Sequence, residues 1–389
     1  MPQERQRIAV ELLLGFAERT GLTGTGAPRR YLWTDAFAVC TFLGLTRVTG
    51  DGRYEGLALR LVDRVHHTLG QHRLDDPRTG WISGLSPREG EAHPTRGGLR
   101  IGKALPERGP GDPVNDRLEW ERDGQYFHYL TKWMHALDQV TRATGQAAFN
   151  QWARELAETA HGAFTHANSG AGLSMYWKMS IDLSRPLVPV MGHHDPLDGY
   201  VTCLQLRATP SASSGPALEA EAARFRSMID GRDLVTADPL GIGGLLADAY
   251  RLEQLMGQGA SADDELLVRM LAAARSGLER YVGQADLDQP ATHRLAFREL
   301  GLAIGLHAVL LMNRSAEDSV EGFAGAPAAR RQLDALMRYA DLRSRMEIFW
   351  LERAHQDAPT WTEHRDINAV MLATSLVPEG FLLLSATRP

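Results

Sequence analysis

The densest group of reactive side chains in the chain is LEWERDGQYFHYLTKW, residues 118–133. Glu119, Glu121 and Asp123 place three carboxylates within five residues, with Arg122 between them. Carboxylates crowded this closely repel one another, which raises at least one pKa toward that of a usable general acid. On a helix beginning here, Tyr126, Tyr129 and Trp133 share one face at spacings of three and four, and Gln125, His128 and Lys132 share the adjacent face. An aromatic stripe beside a hydrogen-bonding stripe suits a sugar ring, which has an apolar face and a hydroxyl rim. Helix packing with a solvated charge run accounts for any one of these residues, so the signal lies in their density.

A second group, MGHHDPLDGY at 191–200, supplies His193, His194, Asp195 and Asp198. Imidazole and carboxylate suit several divalent ions. Adjacent histidines on an extended segment point in opposite directions, however, which leaves one ligand plus an aspartate, and HExxH and CxxC are both absent. No metal or other cofactor is assigned, and His193 and His194 are read as acid–base or hydrogen-bonding groups. Binding groups come from further segments: Tyr31 and Trp33 ahead of Asp35, Trp81 and the RGGLRIGK run holding Lys103, Trp177 between Tyr176 and Lys178, and Trp361 with His364. RGGLRIGK is not a phosphate loop, because it lacks the Gly-Lys-Ser/Thr ending and a preceding strand. His66, His67 and His72 are expected at the surface. Asp35, Asp123, Asp198, Asp238, Asp366 and Thr292 stand at or near the starts of predicted helices, where aspartate and threonine serve as caps.

The basic residues are lopsided. Of 42, only Lys103, Lys132 and Lys178 are lysines, and all three fall between residues 100 and 180, where aromatic and histidine residues are also dense. Where arginine serves elsewhere, a retained lysine points to a need for a compact ammonium.

The elements that must position these groups are helices. Apolar recurrences at three and four residues mark 3–19, 34–49, 52–71, 122–144, 147–166, 197–208, 216–229, 240–257, 262–283, 293–313, 326–350 and 364–377. Only residues 172–192 alternate in a strand-like way, which predicts a small β-hairpin within a loop. The connections are of two alternating kinds. Plain Gly, Ser and Asp turns lie at 48–54, 143–147, 209–216, 256–263 and 313–327. Loops rich in Trp, His, Arg and carboxylates lie near 20–34, 72–121, 167–196, 230–239, 284–292 and 351–363. Helices after a plain turn are amphipathic and charged; those after a rich loop, such as DAFAVCTFLGL and INAVMLATSLV, are apolar all round and so belong inside. Six outer and six inner helices in alternation, at roughly 65 residues per hairpin, describe a helical repeat closed into a ring. Alternate connections of such an array emerge on one face, which brings the six rich loops to a common end.

This alternation, with phrases such as FLGLTRVTGD leading into an amphipathic helix, resembles the six-hairpin (α/α)6 toroid shared by many glycosidases and sugar epimerases. LEWERDGQYFHYLTKWMHAL is most similar to uncharacterised bacterial members of that superfamily. The resemblance implies an all-α fold in a single domain over 1–389, with an active-site cleft at the loop-rich end and a small-molecule or oligosaccharide ligand. The function it implies is a glycoside hydrolase with Glu121 or Asp123 facing Asp195 or Asp198. A sugar isomerase or epimerase using His128, His193 or His194, and a non-catalytic binding protein, are the alternatives. Glu119, Tyr126, Tyr129 and Lys132 would complete the binding surface.

Composition narrows the classes. A hydrophobic share of 43% with 23% charged residues is that of a globular chain. A net charge of −6 gives no basic footprint for nucleic acid. Cys40 and Cys203 cannot build a disulfide framework. The N-terminal segment carries Glu4, Glu11 and Glu18 among its apolar residues, unlike a secretory leader. No apolar run approaches the roughly 20 residues needed to span a bilayer. These features lead to the expectation of a cytoplasmic protein with no membrane partner.

Overall fold

A computed structural model describes residues 2–24, 26, 28–168, 170, 172–209, 215–284, 287–318 and 327–385. Its long helices are α1 (Pro2–Arg19), α2 (Leu32–Thr49), α3 (Arg53–Leu69), α4 (Phe127–Thr144), α5 (Ala147–Phe164), α6 (Asp195–Ala208), α7 (Glu219–Ile229), α8 (Pro239–Gly257), α9 (Asp264–Gln284), α10 (Ala296–Asp318), α11 (Pro327–Leu336), α12 (Asp341–Leu351) and α13 (Arg365–Leu376). The periodicity anticipated all of them with two differences. The helix expected over 326–350 is broken by a 3-10 turn at Met337–Tyr339. The one expected from 122 begins only at Phe127. The linkers expected at 209–216 and 313–327 lie largely outside the described residues.

Burial follows the alternation of helix types. Every residue of α2 from Leu32 to Leu45 is buried, and so is every residue of α6 from Asp195 to Leu206. In α3, by contrast, burial is confined to Tyr54, Ala58, Leu61, Val62, Val65, His66 and Leu69, one face at helical spacing. Each fully buried leucine or phenylalanine contributes about 1.5–3 kcal/mol, so the apolar helices carry most of the stability.

The chain forms two compact units. The first comprises Ala17–Leu43 and Asp51–Gly231. In it α4 packs on α5 and α6, and α6 on α7. The second comprises Met1–Phe16, Gly44–Gly50 and Arg232–Pro389, with α8 packed on α9 and α10, and α10 on α12 and α13. The α8–α10 crossing is close enough to require glycine. A Cβ on Gly243 would lie 2.1 Å from the Gly301 carbonyl oxygen, and one on Gly305 2.6 Å from the Gly243 Cα.

The strand-like passage forms two pairings rather than one hairpin. β2 (Thr165–Ala167) pairs with β3 (Leu173–Met175), while β4 (Lys178–Met179) lies between β1 (Gln125–Tyr126) and β5 (Pro186–Val188). Strand β1 is why α4 starts late. Gly124 has φ +145° and its Cα faces the Met179 carbonyl, a backbone a helix cannot adopt. Within α10, residues 296–317 are long and apolar enough to cross a membrane by length and composition, against the expectation of no such run; 67% of this apolar stretch is buried within the protein.

Candidate functional site

The RGGLRIGK run is clamped to the segment before α4. Leu99 N–H donates to Gln125 Oε1 at 2.8 Å, Ile101 N–H to the Gly124 carbonyl at 2.8 Å, and Leu32 N–H to the Ile101 carbonyl at 3.0 Å. Gln125 also donates to the Gly97 and Ile181 carbonyls, so it is a buried tie and not part of a helix face. Asp123, fully buried, sits at the centre of this clamp. It accepts from Arg100 Nη1 at 2.6 Å, Arg73 Nη1 at 3.4 Å, and the Gly102 and Lys103 N–H groups at 2.9 and 3.4 Å. With four donors on it, Asp123 organises the loop.

The three carboxylates of residues 119–123 therefore do not share one environment. Glu119 is buried, with Oε1 2.6 Å from Arg108 Nε and Oε2 3.6 Å from Lys178 Nζ. Lys178, also fully buried, donates to the Glu119 and Arg122 carbonyls at 2.5 and 2.9 Å, and burial brings its ammonium down to about 8. Glu121 alone is exposed.

A ring surface runs from this clamp. Tyr31 and Tyr129 share a hydroxyl hydrogen bond of 2.6 Å with rings edge to face. Tyr126 contacts Tyr129, His128 and Trp177, and His128 stacks on Trp177 at 5.8 Å with 11° between planes. Trp120, 53% exposed, meets Trp177 edge to face at 4.7 Å. Burial raises the phenols of Tyr31, Tyr126 and Tyr129, so they are neutral donors at neutral pH. His128 Nδ1 is buried without a partner among the described residues, and burial pushes the ring down to about 4, leaving it uncharged at pH 7. Trp133, expected on the same face, is fully buried and donates to His66 Nε2 at 3.1 Å. His66 is accordingly buried, not a surface residue.

Beside His128 lies the start of α6. Asp198 Oδ2 accepts from Lys132 Nζ at 2.8 Å and Thr131 Oγ1 at 2.5 Å, which holds it as an anion. Asp195, one helical turn earlier, is buried, and its Oδ2 has no hydrogen-bond partner among the described residues. Burial first, and then the charge of Asp198, push Asp195 up to about 7. Gly192 makes room for it, since a Cβ there would fall 2.3 Å from Asp195 Oδ2. His193 is exposed, with its ring 4.6 Å from that of His194.

Other expected site residues are fasteners. Trp33 is buried against Phe37, and Asp35 accepts from Tyr31 N–H and Arg30. Trp81 is buried, meets the His67 ring at 5.6 Å, and lies where any side chain on Gly90 would go. In the second unit, Trp361 is buried and stacked on Trp350, and His364 is exposed beside Phe297. Sequence reasoning passed over Trp120 and the clamp residues Arg73, Arg100 and Arg108, whose partners lie 11–50 positions away. Among the described residues, no group of three or more His, Cys, Asp or Glu is placed to hold a metal ion.

Similarity to solved structures is extensive in coverage and low in identity. The GH76 α-mannanase of Bacteroides thetaiotaomicron is similar with a TM-score of 0.56 at 10% identity, over 96% of each chain. An inactive variant of a Salegentibacter sp. α-1,6-mannanase, in complex with α-1,6-mannotriose, gives 0.54 at 12% identity, over 96% of this chain and 99% of that one. Cellobiose 2-epimerase of Spirochaeta thermophila gives 0.50 at 13% identity, over 97% of each. The fold is an (α/α)6 toroid. No family model matches the chain, and no curated protein sequence does either.

Proposed function

We propose that this protein is a carbohydrate-active enzyme that hydrolyses a glycosidic bond, with Asp195 as general acid. The observation carrying this reading is the split between two neighbouring carboxylates. Asp195 is raised to about 7, and Asp198 is anchored as an anion by Lys132 and Thr131. Environments that drive two carboxyls apart in this way mark the one that keeps its proton as the acid. Asp195 holds a proton for the leaving oxygen, and Asp198 keeps it there as a positioning residue. Glu121, the exposed carboxylate of the 119–123 group, is the candidate base for the attacking water, which gives inverting chemistry. The ring surface of Tyr31, Tyr129, His128, Trp177 and Trp120 supplies apolar faces for a sugar, with neutral hydroxyl donors at its edge. The fold shared with mannan-cleaving enzymes is consistent with this.

A second reading is favoured by one observation: a neutral, half-buried His128 with an unpartnered Nδ1 can take a proton from a sugar carbon and return it, as an epimerase requires. The inactive mannanase carries changes at two consecutive aspartates. Consecutive aspartates in this chain are Asp75–Asp76 and Asp263–Asp264, outside the Asp195–Asp198 group. Incubation with manno- and gluco-oligosaccharides, followed by NMR, separates the two. Hydrolysis releases new reducing ends with the inverted anomer first. Deuterium entry at the second carbon of a free sugar in heavy water, without bond cleavage, overturns hydrolysis in favour of epimerisation.

A further inference from the structure

The three lysines of the chain converge on one place. Lys103 Nζ and Lys178 Nζ lie 5.7 and 5.4 Å from the centroid of the same Tyr126 ring, and Tyr126 contacts His128, whose charge state feels Lys132. Two of the three ammoniums are occupied. Lys132 is paired with Asp198 at 2.8 Å, and Lys178 donates to two backbone carbonyls and faces Glu119. Lys103 differs. It is half-buried, its N–H holds onto Asp123, and its Nζ makes no hydrogen bond among the described residues. An ammonium brings three donors, and this Nζ is not among the buried unpartnered atoms, so its donors are open to solvent and to a ligand. Its nearest charges do not take them up. Asp123 already accepts four hydrogen bonds, and Glu121 acts on it electrostatically without forming an ion pair. Lys178 adds a second positive charge that repels it across the tyrosine face.

We infer that Lys103 receives an anionic substituent of the ligand, so that the substrate class is a sugar bearing a carboxylate or a phosphate. The anion meets the donors that the protein leaves open and relieves the repulsion between Lys103 and Lys178, while Trp120 and Trp177, beside the buried Tyr126, take the sugar's apolar face. A point charge on a flexible stem accepts either a carboxylate or a phosphate. The inference rests on the carbohydrate reading above and adds the charge.

Calorimetric titration of the intact protein tests it with mannose, mannuronate and mannose 6-phosphate as probes. The expected result is binding of one or both anionic sugars at least about tenfold tighter than mannose, the size of one charge-assisted hydrogen bond, weakening as salt rises. Preference for mannuronate alone identifies a uronate; preference for mannose 6-phosphate alone identifies a sugar phosphate. Lys103→Gln, with an unchanged melting temperature, removes the preference and leaves mannose binding in place. Equal binding of all three overturns the inference while the carbohydrate reading stands. Binding of none overturns both. If Lys103→Gln destabilises the chain, the salt dependence and the anion preference of the unaltered protein decide the matter alone.

Discussion

The loops of the two units draw on the same residue types and use them differently. In the second unit, the aromatic and charged residues of the loops largely satisfy one another, although Arg298 Nε on α10 is buried without a partner among the described residues. Arg294 pairs with Glu299 at 2.7 Å and lies over the Phe349 ring, and Trp350 Nε1 donates to Glu299 at 2.8 Å. Asn368 accepts from Phe297 N–H and donates to the Trp361 carbonyl, and Asp238 caps α8 through Gly241 N–H while pairing with Arg298. In the first unit, the clamp around Asp123 is equally complete, but the ring surface beside it is not. Among the described residues, Asp195 Oδ2 and His128 Nδ1 are buried without partners and Lys103 Nζ makes no hydrogen bond, and Trp120 is largely exposed. A loop rich in Trp, Arg and carboxylates is a fastening when its polar atoms are paired, and a candidate site when unpaired ones gather beside an exposed ring surface.

Substitutions on either side of that contrast should separate function from fold. Asp195→Asn, which removes the acid and keeps the shape, should lower turnover about 100- to 10,000-fold with stability at pH 7 unchanged or raised, read by initial rates and thermal melts. Arg294→Met should do the reverse. Stranding Glu299 without its partner costs about 3–5 kcal/mol by denaturant titration, with activity per folded molecule retained.

Glu253, on α8, is buried and raised to about 7 by burial alone. A carboxyl whose folded pKa lies above its unfolded one contributes stability fully present below the unfolded value, near 4.5, and lost as pH rises through about 7. Glu253→Gln should therefore stabilise the protein by about 2–3 kcal/mol above pH 7 and by nothing below pH 4. Asp198→Asn removes the charge that helps keep Asp195 protonated, so the alkaline limb of the activity profile should move to lower pH by about one unit. Smallest of all, Trp120→Ala should weaken sugar binding by about 0.5–1.5 kcal/mol with little change in stability, since its ring is exposed.

The helices were legible because burial periodicity is a local property: α2, α6 and α13 announce themselves as apolar all round. Their interruptions were not. The start of α4 depends on Gly124 meeting the Met179 carbonyl, 55 residues away, and the break at 337–339 carries no proline or glycine. Within the candidate site, the residue types at 119–132 and 193–198 drew attention for sound reasons, but their roles did not follow from proximity in sequence. Glu119, Glu121 and Asp123 read as one repelling cluster, whereas Arg108, Lys178, Arg100 and Arg73 divide them into two buried ion pairs and one exposed carboxylate. Trp33 and Trp81 read as binding groups, and burial makes them core.

The proposed chemistry requires Asp195 to keep a proton where an ordinary aspartate would have lost it. Infrared difference spectroscopy of the wild type against Asp195→Asn, titrated from pH 3 to 9, measures this directly. A protonated-carboxyl band present in the wild type, absent from the variant and disappearing near pH 7 is the predicted result. A band that disappears near pH 4 would contradict it, because Asp195 would then have no proton to give.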